Sequence, residues 1–138
     1  MITLSDDLRI GHPNIDQDHE RLVGIINEFL EQANAGDNSR LMHETLKSLL
    51  VYSREHFQRE EKIQRECMYP YATMHAEEHR RLISQVEDMA RTYFIVKESL
   101  IDGAAIKVMN DLLKVWLIDH IKKFDTNMRD WVIPADQR

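Results

Sequence analysis

The sequence predicts an all-α fold, an up-down-up-down antiparallel four-helix bundle with an N-terminal arm. Two observations carry that reading. Four segments of twenty or so residues repeat apolar positions at threes and fours, the period of a helix with one buried face. Only 4 Gly and 3 Pro punctuate 138 residues, so the elements are long and the turns few. At 43% hydrophobic and 30% charged, the composition is that of a globular domain rather than a disordered chain.

The elements follow in order. The first segment opens at the cap-type residues Asn14 and Asp16, closes at Gly36, and carries His19, Leu22, Val23, Ile26, Phe29, Leu30 and Ala33 on one face. Gly36-Asp37-Asn38-Ser39 is a turn. The second segment places Met42, Leu46, Leu49, Ser53, His56, Glu60 and Ile63 on its inner face and must stop before Pro70. The third carries His75, His79, Leu82, Val86, Met89 and Tyr93. The fourth starts near Gly103 and carries Ile106, Met109, Leu113, Trp116, His120 and Phe124. The ends, Met1 to Gly11 and Val132 to Arg138, read as loops or extended arms, with the bundle spanning about residues 14–131 of a single domain, 1–138.

Function classes fall away on composition. With 24 acidic and 18 basic residues the net charge is -6, and no basic stripe offers a footprint for nucleic acid. No run approaches the roughly 18 apolar residues that span a bilayer. The start, MITLSDDLRI, lacks the pattern of a signal peptide, and the single cysteine, Cys67, fits a reducing compartment. The expected location is the cytoplasm.

Five of the 7 histidines make the functional signal. In an antiparallel bundle, His19 near the start of the first helix, His56 near the end of the second, His75 and His79 near the start of the third, and His120 near the end of the fourth share one end. The depth agrees. His19 to Gly36, Ser39 to His56 and Gly103 to His120 each span 17 residues, about 25 Å of helix. Five imidazoles crowded on a core-facing level would repel when protonated and want partners when neutral. A metal resolves this, because each imidazole gives a lone pair to the ion and keeps an N–H for a neighbour. His56 and Glu60, four apart, face the bundle together, as do His75 and His79. Asp125, five residues after His120, lies about 140° off that face in a regular helix. It turns inward only if the helix widens locally, and otherwise meets solvent. Five imidazoles and two carboxylates exceed one tetrahedral zinc and suit two octahedral ions, iron or manganese, sharing the carboxylates. HAEEH does not match the HExxH order of zinc proteases. His12 and His43 fall outside the layer. The charge runs Arg59-Glu60-Glu61-Lys62 and Glu77-Glu78-His79-Arg80-Arg81 read as solvated faces interrupted by inward residues.

Taken in order, IDQDH, HFQREE, HAEEH and WLIDHIKKFD resemble the hemerythrin family, in particular its single-domain bacterial members, over about Gly11 to Trp131. The resemblance implies a non-haem di-iron centre that binds O2 reversibly, for storage or delivery, and a binding protein rather than an enzyme. It places His75, His79 and His120 on one iron and His19 and His56 on the other. Glu60, Asp125 and a solvent-derived oxo or hydroxo group would bridge them. O2 would enter at the iron with two histidines, beside Leu22, Phe57, Trp116, Leu117 and Ile121. An O2 or redox sensor, or a di-iron peroxidase or oxidase, is the alternative, and NO or small anions are other conceivable ligands. Compared with many bacterial members, Leu4 stands near where a Trp is common, Gln64 where a Met is common, and Asp18 where a Gln is frequent. The last two bear on hydrogen bonding around the ligands and on solvent access.

Overall fold

The computed structural model describes residues 2–35, 39–96 and 102–132. Helix α1 (Pro13–Asn34) starts one residue before the expected caps, with Pro13 in its first position, where the missing N–H costs nothing. Asp16 therefore lies inside the first turn. Its carboxylate accepts from the backbone N–H groups of Ile10 (2.8 Å) and Gly11 (2.9 Å), and Gly11 takes a φ of 93° that suits glycine. Thus the residue expected to cap the helix ties down the arm instead. The turn residues Gly36, Asp37 and Asn38 lie outside the described residues.

Helix α2 (Ser39–Glu66) stops before Pro70 as expected, and hydrogen bonds show how. The N–H of Tyr69 donates to the carbonyl of Gln64 (2.9 Å) and that of Met68 to Arg65 (3.2 Å). This pair of bonds is a Schellman closure, in which the residue at the left-handed position is usually glycine. Here it is Met68, with φ 59° and 82% of its surface exposed. Met68→Gly should therefore remove strain without loss of packing. We expect a gain of about 1 kcal/mol, read as a rise of roughly 3–5 °C in melting temperature. An unchanged or lower melting temperature would show that the turn is unstrained.

Helix α3 (Ala72–Ala90) continues into a wider π-helical turn, Arg91–Val96. Helix α4 (Gly103–Lys123) begins at the expected place, capped by the Asp102 carboxylate, which accepts from the N–H of Ala105 at 2.9 Å. A 3-10 turn (Asp125–Met128) and a last short helix, α5 (Arg129–Val132), follow. α1 packs on α2, α2 on α3, and α4 returns against α1. The apolar stripes read from the periodicity meet in one core that includes Leu22, Ile26, Phe29, Leu46, Leu49, Leu82, Val86, Met109 and Leu113.

The arm is tied across the bundle. The backbone N–H and carbonyl of Ile2 pair with the side-chain amide of Asn27 at 2.8 and 2.9 Å, and Ile2 and Leu8 reach the main core. Leu4 is partly buried against it. A second apolar cluster, Ile10, Ile15, Tyr69 and Met128, closes the end of the bundle where the histidines lie. Arg129 bonds the carbonyls of Arg9 and Asp7, joining the two ends of the chain over that cluster. Among the described residues, no helix is long and apolar enough to cross a membrane.

Candidate metal centre

All five expected histidines and both carboxylates are buried, each 5% exposed or less. They meet at one end of the bundle in two overlapping groups. Glu60, His75, His79, His120 and Asp125 have donor atoms within 4.8 Å of one another, and so do His19, His56, Glu60 and Asp125. The carboxylates belong to both groups. Glu60 turns Oε1 toward Nε2 of His75 (2.9 Å) and His79 (3.1 Å), and Oε2 toward Nε2 of His56 (3.2 Å) and His19 (3.8 Å). Asp125 turns Oδ1 toward Nε2 of His75 (2.9 Å) and His120 (3.0 Å), and Oδ2 toward Nε2 of His19 (2.9 Å). Each carboxylate thus turns one oxygen toward two members of the trio His75, His79 and His120, and the other toward the side of His19 and His56.

Asp125 reaches this position by neither route that a regular helix offered. α4 ends at Lys123, the backbone bends at Phe124 (φ -114°, ψ -55°), and the chain resumes as a tighter 3-10 turn. That break swings Asp125 inward, to 0% exposure. A local widening of the helix is not what brings it there.

The donor atoms aim at common points rather than at one another. Despite the short distances, Nε2 of His19, His75 and His120, Oε2 of Glu60 and both oxygens of Asp125 lack a partner with hydrogen-bond geometry. Buried polar atoms left so are costly unless something else accepts their lone pairs. Cations seated between them would, and imidazole nitrogen with carboxylate oxygen is a donor set for divalent transition metals. The residues present suit such ions.

The electrostatics follow from the same crowding. Burial works against a charged imidazole, but the Asp125 and Glu60 carboxylates outweigh it and push His19 and His75 up to about 10. His56 is likewise raised against its burial, chiefly by Glu60, and His79 by Glu60 and Glu61. Burial would raise Glu60 and Asp125, yet the surrounding imidazoles hold both well below the usual carboxylate range.

On the outer nitrogens the histidines differ. His56 Nδ1 donates to Asp18 (2.9 Å), and His79 Nδ1 to Glu61 (3.0 Å). Nδ1 of His19 and of His120 has no hydrogen-bond partner among the described residues. Asp18 is one residue before His19, hence about 100° round α1, and so faces α2 rather than the centre. There it also accepts from Tyr52 Oη (2.7 Å) and, through both oxygens, from Arg59 (2.8 and 2.9 Å). Burial opposes its charge, but these donors outweigh it and hold the carboxyl well below its usual range. Arg59 and Glu61 therefore have inward business that a solvated charge run does not suggest.

A tight pocket adjoins the pair of histidines. His19, Leu22, His56, Phe57, Leu82, Trp116, Leu117, His120 and Asp125 line it, with essentially no space left for a water-sized sphere. Four of the five expected wall residues border it. Ile121 is fully buried in the core without lining it, and Leu82, unnamed as a wall residue from the sequence, does. Leu82 lies three residues after His79, so helical spacing held that signal. Phe57 also stacks flat on His79, ring centres 3.9 Å apart, and the Trp116 indole N–H donates to the carbonyl of Leu82 at 2.9 Å. His12 and His43 are half-buried and stand apart, His43 stacked on Phe94. Cys67 is free and half-buried.

Comparison with known proteins agrees with this geometry. Residues 11–132 match the model of the hemerythrin HHE cation binding domain. Similar proteins include the bacteriohemerythrin of Stenotrophomonas maltophilia, 29% identical over 96% of this chain and 82% of the relative. That of Pseudomonas paraeruginosa is 31% identical over 92% and 78%, and that of Campylobacter jejuni 25% over 93% and 88%. A wild-type hemerythrin crystal structure superposes with a TM-score of 0.78, covering 96% of this chain and 97% of that one at 20% identity, which bears on the fold alone. Four helices, their shared histidine end and a family match across nearly the whole chain lead to one assignment: this chain belongs to the hemerythrin family of HHE cation-binding domains.

Proposed function

We propose that this chain binds O2 reversibly at a di-iron centre and serves to store or deliver it. His75, His79 and His120 would hold one iron and His19 and His56 the other, with Glu60, Asp125 and a solvent-derived oxo or hydroxo group between them. The observation that carries the reading is the unequal division of donors, three histidines against two, around carboxylates that face both groups. The group with two histidines is one protein donor short, and the apolar pocket adjoins it. When bound, a pair of ferrous ions supplies two electrons that can be lent to O2 and recovered. The chain supplies the rest. Buried imidazoles hold the ions, and Leu22, Phe57, Leu82, Trp116 and Leu117 keep water and protons from the ligand. The pocket has no room for a water-sized sphere, which disfavours a bulky substrate. Nitrogen-rich donors distinguish this centre from the glutamate-rich sites of di-iron enzymes. We read the protein as a cytoplasmic binding protein, not a catalyst.

The test is the visible spectrum of anaerobically reduced protein cycled between O2 and vacuum, with iron counted on the same sample. Two irons per chain with colour that comes and goes support the proposal. Colour that does not reverse, or turnover with an electron donor, would replace it with a sensor or peroxidase. No iron after reconstitution would overturn it.

Proton linkage gives a second check. The raised values of His19 and His75 mean that their contacts with Asp125 and Glu60 stabilise the apoprotein fully below the unfolded value near 6.5, and that this is lost as pH rises through about 10. A metal must displace those protons, so apparent affinity should climb as pH rises toward about 10. Calorimetry in buffers of different ionisation enthalpy should show protons released on metal uptake. Uptake with no proton release would contradict the arrangement.

A further inference from the structure

The seven inward residues leave one buried charged group unexplained. Asp18 is 6% exposed and contributes no donor atom to either group of the centre. It is nevertheless among the most fully engaged side chains in the protein, taking hydrogen bonds from His56, from Tyr52 and twice from Arg59. Its donors come from three successive turns of α2, residues 52, 56 and 59, while it sits on α1. The Tyr52 ring is itself flanked by two guanidinium groups, Arg59 at 5.4 Å and Arg21 at 6.0 Å from its centre. By contrast, the carboxylate on His79, Glu61, is 27% exposed, and Nδ1 of His19 and of His120 has no hydrogen-bond partner among the described residues.

We infer that Asp18, clamped by Arg59 and Tyr52, is a positioning residue for His56, and that Arg59 acts on the metal centre through Asp18 alone. The inference rests on the di-iron reading above. Asp18 has donors on every side, so it can only accept, and His56 Nδ1 must carry the proton. The Nε2 lone pair then points at the centre, toward Glu60 at 3.2 Å. A carboxylate on the far nitrogen also makes an imidazole a stronger donor. His56 belongs to the group with two histidines, so the clamp governs the ion beside the pocket. A free carboxylate could rotate. This one is fixed by two parallel bonds from a planar guanidinium, the geometry Arg supplies and Lys does not. Among the described residues, the hydrogen bonds of the Arg59 side chain go to Asp18, and that side chain is 44% exposed. A group at the surface is thus wired to a buried centre.

The experiment follows iron release to a chelator, with the visible spectrum, in iron-loaded wild type and in D18A, D18N, R59M and D18A/R59M. Loss of a carboxylate behind a metal-bound histidine typically weakens metal binding about 10–100-fold, so D18A should speed release of the first iron by that order. D18N keeps an oxygen to accept from Nδ1 without the charge, and should lie between D18A and wild type. R59M should act in the same direction as D18A, more weakly. On the D18A background it should do nothing further. A merely structural role for Asp18 would not produce rescue by Asn together with silence of Arg59 in its absence. Wild-type release rates in D18A and D18N would overturn the inference, as would an R59M effect of equal size on both backgrounds. Should D18A not fold by circular dichroism, the comparison of D18L with D18L/R59M, which likewise leaves Arg59 no acceptor at residue 18, carries the same test. A wild-type protein that takes up no iron would overturn the di-iron reading and this inference with it, whereas normal loading with unaltered release in the variants overturns this inference only.

Discussion

Replacing His75 and His79 together with Leu is expected to abolish iron binding and to lower the melting temperature of the protein prepared with iron. Both imidazoles face the trio side of the centre, His75 within 2.9 Å of Glu60 and of Asp125, His79 within 3.1 Å of Glu60. Their loss leaves His120 as the sole histidine there. A ligand that binds only the folded state stabilises it by about 4 kcal/mol at a free concentration a thousand times Kd. The variant forfeits that contribution. Leu fills the buried space, so the change is not simply a cavity. The decisive comparison strips iron from the wild type with a chelator, which should narrow the gap in melting temperature by the metal's share, the rest being the lost contacts of His75 and His79 with Glu60 and Asp125. A bundle that used these histidines only for packing would show the same gap with and without chelator, and no iron in either protein. If the double variant kept two irons per chain, the ligand assignment would be wrong.

The bundle was legible because its information is periodic. Leu22, Val23, Ile26, Phe29 and Leu30 on α1, and Met42, Leu46 and Leu49 on α2, recur at helical spacing and are all buried. Periodicity says little about ends. Asn14 and Asp16 look like caps, yet Pro13 is better suited to the first helical position, so the helix starts there and Asp16 is released to hold Ile10 and Gly11. At the other end of α2, a glycine would have announced the Schellman turn. Met68 adopts the left-handed conformation without that signal.

The centre was legible in part for the same reason. His19, His56, Glu60, His75, His79 and His120 fall on the inner stripes of regular helices, and equal run lengths put them at one level. Asp125 did not yield to that argument, because its direction depends on a backbone break at Phe124 that no spacing encodes. There the family resemblance placed a residue that helical geometry left open. Asp18 was flagged only by its departure from the family pattern, and its partners Tyr52 and Arg59 were opaque, for a different cause. They meet across the α1–α2 interface, and how far each helix is rotated about its axis decides whether a residue flanking the inner stripe meets solvent or its neighbour. Single-helix reasoning read Arg59 as solvated, and it is so by only 44%.

On the proposed function, Leu22→Ser should turn reversible O2 binding into rapid oxidation of the centre. Leu22 is 1% exposed, three residues after His19, and lines the pocket beside the pair of histidines. As packed, that pocket has no room for water. Serine removes most of the side-chain volume and adds a hydroxyl, and the carboxylate of Asp125 on the same wall offers a further partner. A site that is both roomy and polar is what an ordered water requires. Water and its protons would then reach a ligand held there, and a di-iron centre, if loaded, would be left oxidised as the ligand departs in reduced form. Proton delivery by a positioned group is worth about 100-fold or more in rate, which sets the expected increase in autoxidation. The same change costs about 2–5 kcal/mol of stability through the cavity it leaves. Stability and reactivity are separated by Leu46→Ser, which empties an equally buried core position, 1% exposed, that does not line the pocket. Both variants should melt earlier, but only Leu22→Ser should lose its O2 colour faster at a temperature where both are folded. Equal autoxidation rates in the two variants would show that the apolar wall is packing alone, and that reversibility, where found, comes from the ligand set.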